Sequence, residues 1–103
     1  MAKNTRKDRS TALYEVVLDL RDADEARRFF EDLCSPTELR SMEQRFDVAM
    51  YLLQNKVYTE ILQSTGISSA TISRVRRNII DKETGGAMKE IILRNGLAEI
   101  KEG

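Results

Sequence analysis

A fully apolar stretch in the middle of the chain most constrains its fold. Ser35 and Pro36 predict the start of a long helix, because a capping hydroxyl precedes a proline at the first helical position and Glu38 completes a capping box. This helix should run over residues 36 to about 54. Its second half, residues 48–53, is apolar on every side, and such a helix must be covered on every side. A single layer of helices from 103 residues hardly supplies that cover, so the sequence predicts an intertwined homodimer.

The first half of the same helix is amphipathic. Leu39, Met42 and Phe46 share one face, which is expected to point inward. The alternative to a dimer is that Met50 and Tyr51, at the apolar end, are only half exposed in a monomer.

Helical periodicity also covers most of the remaining chain. A first helix carries Leu13, Val16, Val17 and Leu20 after a cap at Ser10 or Thr11, and a second carries Ala26, Phe29, Phe30 and Leu33 after a cap at Asp22 or Asp24. Two short helices follow at about 58–64 and 70–80. After the break at residues 84–86, a last helix carries Met88, Ile91, Ile92 and Leu97 and ends near Asn95 and Gly96. The fold class is therefore all-α with six helices, in one domain over residues 10–103 behind a flexible basic arm at residues 1–9.

Composition excludes several classes of protein. Hydrophobic residues make up 41% and charged residues 33% of the chain, as in soluble globular proteins. The longest apolar run is too short to cross a bilayer and no signal-type core follows the N-terminus, so we expect a cytoplasmic protein without a membrane partner. Cys34 is the single cysteine and histidine is absent, so neither a zinc site, another cofactor site nor a Cys–His nucleophile is expected. We interpret Cys34 as a small buried side chain.

The formal net charge is zero, but the charges are unevenly distributed. Residues 68–82 hold four basic residues and one acidic residue, a local charge of +3, and residues 1–14 also carry +3. Residues 15–47 hold ten acidic and five basic residues, a local charge of −5. A local positive face can bind phosphate even when the net charge of the whole chain is zero, because salt screens the distant charges.

Residues 57–78 have the pattern of two short helices that cross at a wide angle. Such a pair needs apolar residues on the first helix, a glycine at the turn, and apolar residues on the second helix that point back. The sequence meets these needs in order with Ile61 and Leu62, with Gly66, and with Ile67, Ile72 and Val75. In such helix pairs a small residue usually lies four positions before the glycine, but this chain has Leu62 there. Either the two helices cross slightly further apart, or the alignment with the usual pattern shifts by one residue.

The outward face of the second helix predicts DNA contact. Small polar groups fit a major groove, and arginines reach guanine edges or phosphates. The predicted DNA-binding residues are Ser68, Ser69, Ala70, Thr71, Ser73, Arg74, Arg76 and Arg77. The alternative is an ordinary helical hairpin with a basic, solvated end.

Four stretches carry a family resemblance: Cys34-Ser-Pro-Thr-Glu-Leu-Arg, Gln44-Arg45-Phe46, Tyr51-Leu52-Leu53 and Ser69-Ala-Thr-Ile-Ser-Arg74. Through them, residues 33–80, about half the chain, resemble the Trp repressor family, and most closely its YerC/YecD-like branch. The resemblance implies a bacterial, all-α, intertwined homodimer in which the two tandem helices form the DNA-reading head.

The resemblance also implies positions for an effector. In the Trp repressor two arginines clamp the corepressor, and Arg45 and Arg74 match them by position. Two such arginines can hold a carboxylate and stack on a ring. Val75 occupies the position of the glycine that leaves space for the indole in the Trp repressor. We therefore expect that tryptophan does not bind, and binding of another small-molecule corepressor is left as an open alternative. In the alternative, Arg45 pairs with Glu43 or Asp47 and Arg74 contacts DNA.

We therefore expect sequence-specific binding of double-stranded DNA by a homodimeric transcriptional regulator, acting as a repressor and not necessarily with tryptophan. The alternative is a helical protein-interaction module that does not bind DNA, which the neutral net charge and acidic first half allow. An enzyme is not expected, because no spacing places two carboxylates in an apolar pocket and no glycine-rich phosphate loop is present.

Overall fold

The structure is a computed structural model that describes residues 9–81 and 86–99, without the side chains of Ile80 and Asp81. These residues form six α-helices and no strand, which confirms the predicted fold class. The helices are α1 (Ala12–Val17), α2 (Ala23–Leu33), α3 (Pro36–Leu53), α4 (Tyr58–Thr65), α5 (Ser69–Arg76) and α6 (Gly86–Arg94), and a π-helical segment (Arg77–Asp81) directly follows α5. No helix in this part of the chain is long and apolar enough to cross a membrane.

The chain divides into two compact units, residues 1–39 and residues 40–103. The division falls inside α3, whose first turn belongs to the first unit. The predicted single domain over residues 10–103 stays a prediction, and residues 1–8 of the predicted arm lie outside the described part of the chain.

Helix α1 in the first unit is shorter than predicted. The Asp19 N–H bonds to the Val16 carbonyl at 2.9 Å and the Leu20 N–H to the Val17 carbonyl at 3.3 Å. These tight i→i−3 bonds close the helix before Leu20, so Leu20 is not on its face as predicted. Thr11 is the N-cap, although Ser10 supplies the hydroxyl that accepts from the Ala12 N–H, at 3.1 Å.

Helix α2 begins at a reciprocal cap. The Asp22 carboxylate accepts from the Glu25 N–H at 2.8 Å, and the Glu25 carboxylate accepts from the Arg21 N–H at 3.2 Å. Asp22 rather than Asp24 is therefore the cap; Asp24 instead pairs with Arg27 at 2.6 Å and with Arg28 at 3.1 Å. Cys34, the C-cap residue, is half-buried, less than the sequence predicted.

Helix α3 begins with the predicted capping box. The Ser35 hydroxyl accepts from the Glu38 N–H at 3.2 Å, and the Glu38 carboxylate accepts from the Ser35 N–H at 2.8 Å. A hydrogen bond from the Ser35 N–H, and to a smaller extent one from the Ser35 hydroxyl, holds the pKa of Glu38 below its usual range. The box satisfies two of the N–H groups that a helix start leaves without partners.

The two halves of α3 differ in burial. Val48 and Ala49 are fully buried, and residues 50–53 are half-buried. Met42 and Phe46 are 40% and 38% exposed, so the prediction that they point inward is wrong for the single chain. The reason is that the core of the second unit begins only at Val48.

The core of the second unit is built from aliphatic side chains of α3, α4, α5, the π segment and α6, together with Ile67 before α5 and Ala98 after α6. Ile61, Ile72, Ile79 and Ile92 are all at most 1% exposed. Among the described residues, the buried side chains are Val48, Ala49, Ile61, Ile67, Ile72, Val75, Ile79, Ile92 and Ala98. A buried aliphatic side chain of this size contributes about 1.5–3 kcal/mol relative to an exposed one, so this core sets the crossing of α4 and α5.

Helices α3 and α6 end in the same way. Asn55 and Gly96 take left-handed conformations, with φ of 63° and 71°. The next N–H closes a long turn in each case, from Lys56 to the Tyr51 carbonyl at 3.1 Å and from Leu97 to the Ile92 carbonyl at 3.2 Å. Both are Schellman ends, and the second lies where the sequence predicted the end of the last helix.

Candidate nucleic-acid interface

The candidate site is the pair of helices α4 and α5 with the turn between them. Gly66 has φ of 66°, the left-handed conformation expected of a glycine that ends a helix. Its N–H bonds to the Leu62 carbonyl at 2.9 Å. The Thr65 hydroxyl donates to the Ile61 carbonyl at 2.7 Å and accepts from the Ile67 N–H at 3.2 Å. The turn is therefore held from both sides.

Leu62, the residue that departs from the usual pattern, is half-buried and packs against the core. The two helices accommodate it without losing the buried contacts of Ile61 and Ile72, which are both fully buried. The larger residue at this position is thus part of the packing between α4 and α5.

Ser68 caps α5, as its place before the helix predicted. Its hydroxyl accepts from the Thr71 N–H at 3.3 Å and lies 3.0 Å from the Thr71 hydroxyl. Thr71 is also half-buried. Both hydroxyls are therefore used within the first turn of α5, and they contribute less to an outward surface than the sequence suggested.

The two faces of α5 differ sharply. Ile72 and Val75 face the core, with 0% and 3% exposure. The opposite face carries the exposed residues Ser69, Ala70, Ser73, Arg74 and Arg76, and Arg77 follows as the C-cap. Helix α5 itself stops at Arg76, where a helix to residue 80 was predicted, since the backbone widens into the π segment; Ile79 nevertheless stays in the core at 1% exposure.

An open groove of about 380 Å³ runs along the exposed face. It brings together five predicted site residues and one that sequence reasoning missed; its lining is Tyr58, Ala70, Ser73, Arg74, Arg76 and Arg77. Ser68, Ser69 and Thr71 are not part of the groove lining. Tyr58 is the first residue of α4, and an aromatic ring with a polar tip at the start of the first helix is the signal that could have identified it.

No acidic side chain in the described part of the chain pairs with the arginines of the groove. Among the described residues the only two ion pairs are those of Asp24 with Arg27 and Arg28. The guanidinium groups of Arg74, Arg76 and Arg77 therefore have no ion pair with any described residue. Each presents five N–H donors in a planar fork, which suits phosphate oxygens and guanine edges.

The two predicted effector residues are not brought together in this groove. Arg74 lines it, whereas Arg45 does not; the Arg45 Nε donates to the Ser41 carbonyl of its own helix at 3.4 Å. Within the described part of the chain Arg45 also has no ion pair with Glu43 or Asp47, contrary to the alternative interpretation. Val75 fills the core rather than the groove.

The sequence of this chain is similar to those of known proteins. Residues 9–94 match the model of the family described as Trp repressor protein. YerC of Bacillus subtilis (strain 168), an uncharacterized protein, is 46% identical over 65 residues, which are 63% of this chain and 62% of YerC. The match thus spans less than two thirds of that relative.

Two solved structures have the same fold. A TrpR-like protein from Eubacterium eligens superposes with a TM-score of 0.79 at 37% identity, over 94% of this chain and 96% of its own. A candidate Trp repressor from Staphylococcus aureus gives a TM-score of 0.79 at 33% identity, over 96% and 100%. These findings confirm the resemblance predicted from residues 33–80.

Proposed function

Because this chain belongs to the Trp repressor family, a family of helix-turn-helix regulators, we propose that it binds double-stranded DNA sequence-specifically and regulates transcription as a repressor. Helix α5 is the recognition helix and enters the major groove. The observation that carries the proposal is the contrast between its two faces: Ile72 and Val75 are buried, and the opposite side is an arginine-lined groove in which no described acid pairs with the arginines.

The chemistry of the exposed face supports DNA as the ligand. Ser73 and Ala70 are short, so the helix can approach base edges closely, and Arg74 lies on the same groove and can reach guanine O6 and N7. Arg76 and Arg77 at the end of the helix are suited to phosphates, which fix register without reading sequence. The predicted contacts of Ser68, Ser69 and Thr71 are kept as part of the proposal. The Ser68 hydroxyl caps the helix and lies 3.0 Å from the Thr71 hydroxyl, and none of the three residues lines the groove.

The functional unit in this proposal is a homodimer. Several large apolar side chains on α1, α2 and the first part of α3 are exposed in the single chain; they include Val16 at 46%, Leu33 at 54%, Met42 at 40% and Phe46 at 38%. A second copy of the chain is the partner that covers them. A two-fold dimer presents two recognition helices, so the DNA site should be near-palindromic with half-sites about 34–36 Å apart.

Tryptophan is not required in this proposal. Arg45 does not line the groove that Arg74 lines, and the position after Arg74 holds a branched side chain packed into the core. Regulation by another small molecule at Arg45 and Arg74 stays a prediction from the family resemblance.

The deciding experiment is selection of bound sequences from a random duplex library by the purified protein at physiological salt, with and without L-tryptophan. We expect one enriched, near-palindromic motif, identical in the two arms. If a motif were enriched only with tryptophan, the proposal that tryptophan is not required would be wrong. No enrichment by a folded dimer would overturn DNA reading and favour the protein-interaction module.

A further inference from the structure

The Tyr58 hydroxyl donates a hydrogen bond of 2.9 Å to the Ser69 backbone carbonyl. This bond joins the first residue of α4 to the first residue of α5. We propose that Tyr58 is a positioning residue for DNA recognition: it sets the orientation of the recognition helix and forms one wall of the groove, but it does not bind phosphate itself. The inference rests on the proposed DNA-binding function.

Among the described residues, the Tyr58 hydroxyl makes the only side-chain hydrogen bond between α4 and α5. Their other described contacts lie in the core, at Ile61 and Ile72 for example, where aliphatic packing fixes distance but is not directional. A hydrogen bond is directional, and this one acts at the N-terminal end of α5. That end is where a recognition helix meets base edges, so a small rotation there moves Ser73 and Arg74 relative to the bases.

The same bond excludes Tyr58 from donating to DNA. A phenol has a single proton, and here that proton is used by the Ser69 carbonyl. The ring is 38% exposed and lies in the groove with Arg74 and Arg77. Tyr58 therefore supplies shape and position, while the arginines supply the charge.

Positioning and phosphate binding have different signatures. Losing a phosphate contact weakens binding to all sequences and lowers the slope of log K against log salt by about one. Losing a positioning contact weakens the specific complex more than the nonspecific one and leaves the slope unchanged, because no counterion is involved. The readout is thus the ratio of the affinities for the specific and nonspecific duplexes, measured together with the salt slope. A loss of fold stability alone does not change this ratio while the protein stays folded.

The test uses the full-length protein, its selected duplex and a scrambled duplex, each titrated at several salt concentrations. Tyr58→Phe removes the hydroxyl and keeps the ring. We expect its affinity for the selected duplex to fall roughly threefold to tenfold, the size of one hydrogen bond, with little change for the scrambled duplex and an unchanged slope. A substitution at Ser69 would not remove this hydrogen bond, because the acceptor is the backbone carbonyl of that residue.

Tyr51→Phe is the matched control. Tyr51 is half-buried, lies under the Lys56 ammonium at 5.3 Å, and its hydroxyl has no hydrogen bond among the described residues. This variant should bind both duplexes as the wild type does. A Tyr58→Phe protein with wild-type specificity, or with a lowered salt slope, overturns the positioning role alone. A wild-type protein that binds neither duplex overturns the proposed function, and this inference with it.

Discussion

The Gln54 side-chain amide donates a hydrogen bond of 2.9 Å to the Leu97 carbonyl, 43 residues further along the chain. It joins the end of α3 to the end of α6, at the two Schellman turns. The core of the second unit includes Val48 from α3 and Ile92 from α6, so this bond closes the edge of the core that supports the recognition helix.

Gln54→Ala should loosen α6 locally. An exposed hydrogen bond of this kind contributes about 0.5–1.5 kcal/mol, and hydrogen exchange of the α6 amides should accelerate accordingly, with smaller changes in α5. Gln63→Ala is the control, because Gln63 is also exposed and its side chain has no hydrogen bond among the described residues. Equal exchange in the two variants would show that the bond does not hold α6.

Gly66→Ala should destabilise the turn through backbone strain alone. A Cβ at Gly66 would meet nothing within 4 Å, but φ is +66°, and a left-handed residue with a Cβ costs about 1–2 kcal/mol. Chemical denaturation should show this loss of unfolding free energy. Gly66→Asn should lose less, since asparagine tolerates this conformation; equal losses would point to a steric cause.

The capping box at the start of α3 should make stability depend on pH in the acid range. Because the pKa of Glu38 is lower in the folded chain, its contribution is complete above the unfolded pKa and is lost as pH falls through the folded pKa. The difference in unfolding free energy between wild type and Glu38→Gln should shrink over that range. NMR titration of the Glu38 carboxyl should give a low pKa. Ser35→Ala should raise it only in part, since the Ser35 N–H remains; an unshifted carboxyl in the wild type would contradict the box.

Arg76→Ala with Arg77→Ala should weaken DNA binding about equally for all sequences. If both contact phosphates, the slope of log K against log salt should fall by about two. The double change Arg27→Ala and Arg28→Ala is a charge-matched control on α2, where both arginines pair with Asp24, and it should leave the slope as it is. An affinity indifferent to salt in the wild type would overturn phosphate binding.

Phe46→Glu should disrupt the homodimer. Phe46 is 38% exposed in the single chain, and a buried, unpaired carboxylate at an interface is costly. Sedimentation equilibrium should show a wild-type dimer and a variant shifted to monomer or to unfolded chain, which circular dichroism separates. Gln63→Glu adds the same charge to exposed α4 and should stay dimeric. A monomeric wild type at micromolar concentration would refute the dimer.

The helix pair α4 and α5, with its turn and its cap, was largely predictable from the sequence because its signals are local. A glycine that needs a left-handed conformation, a serine cap and apolar residues three to four apart act within one or two turns of helix. Gly66, Ser68 and Ile72 therefore have the predicted roles, as do the Ser35 and Glu38 cap and the alternating faces of α5.

The sequence by itself determined that the chain is helical, where α3 and α4 begin, which face of α5 is apolar, and where positive charge gathers. Only the tertiary structure decided which polar groups meet across long separations. Tyr58 and Ser69 are eleven residues apart, and Gln54 and Leu97 are 43 apart; no periodicity encodes such pairs, because they depend on how two helices cross. The tertiary structure also decided the exposure of Met42 and Phe46, although their apolar character is visible in the sequence. Whether a neighbour covers them depends on the packing of whole elements, which local patterns do not specify.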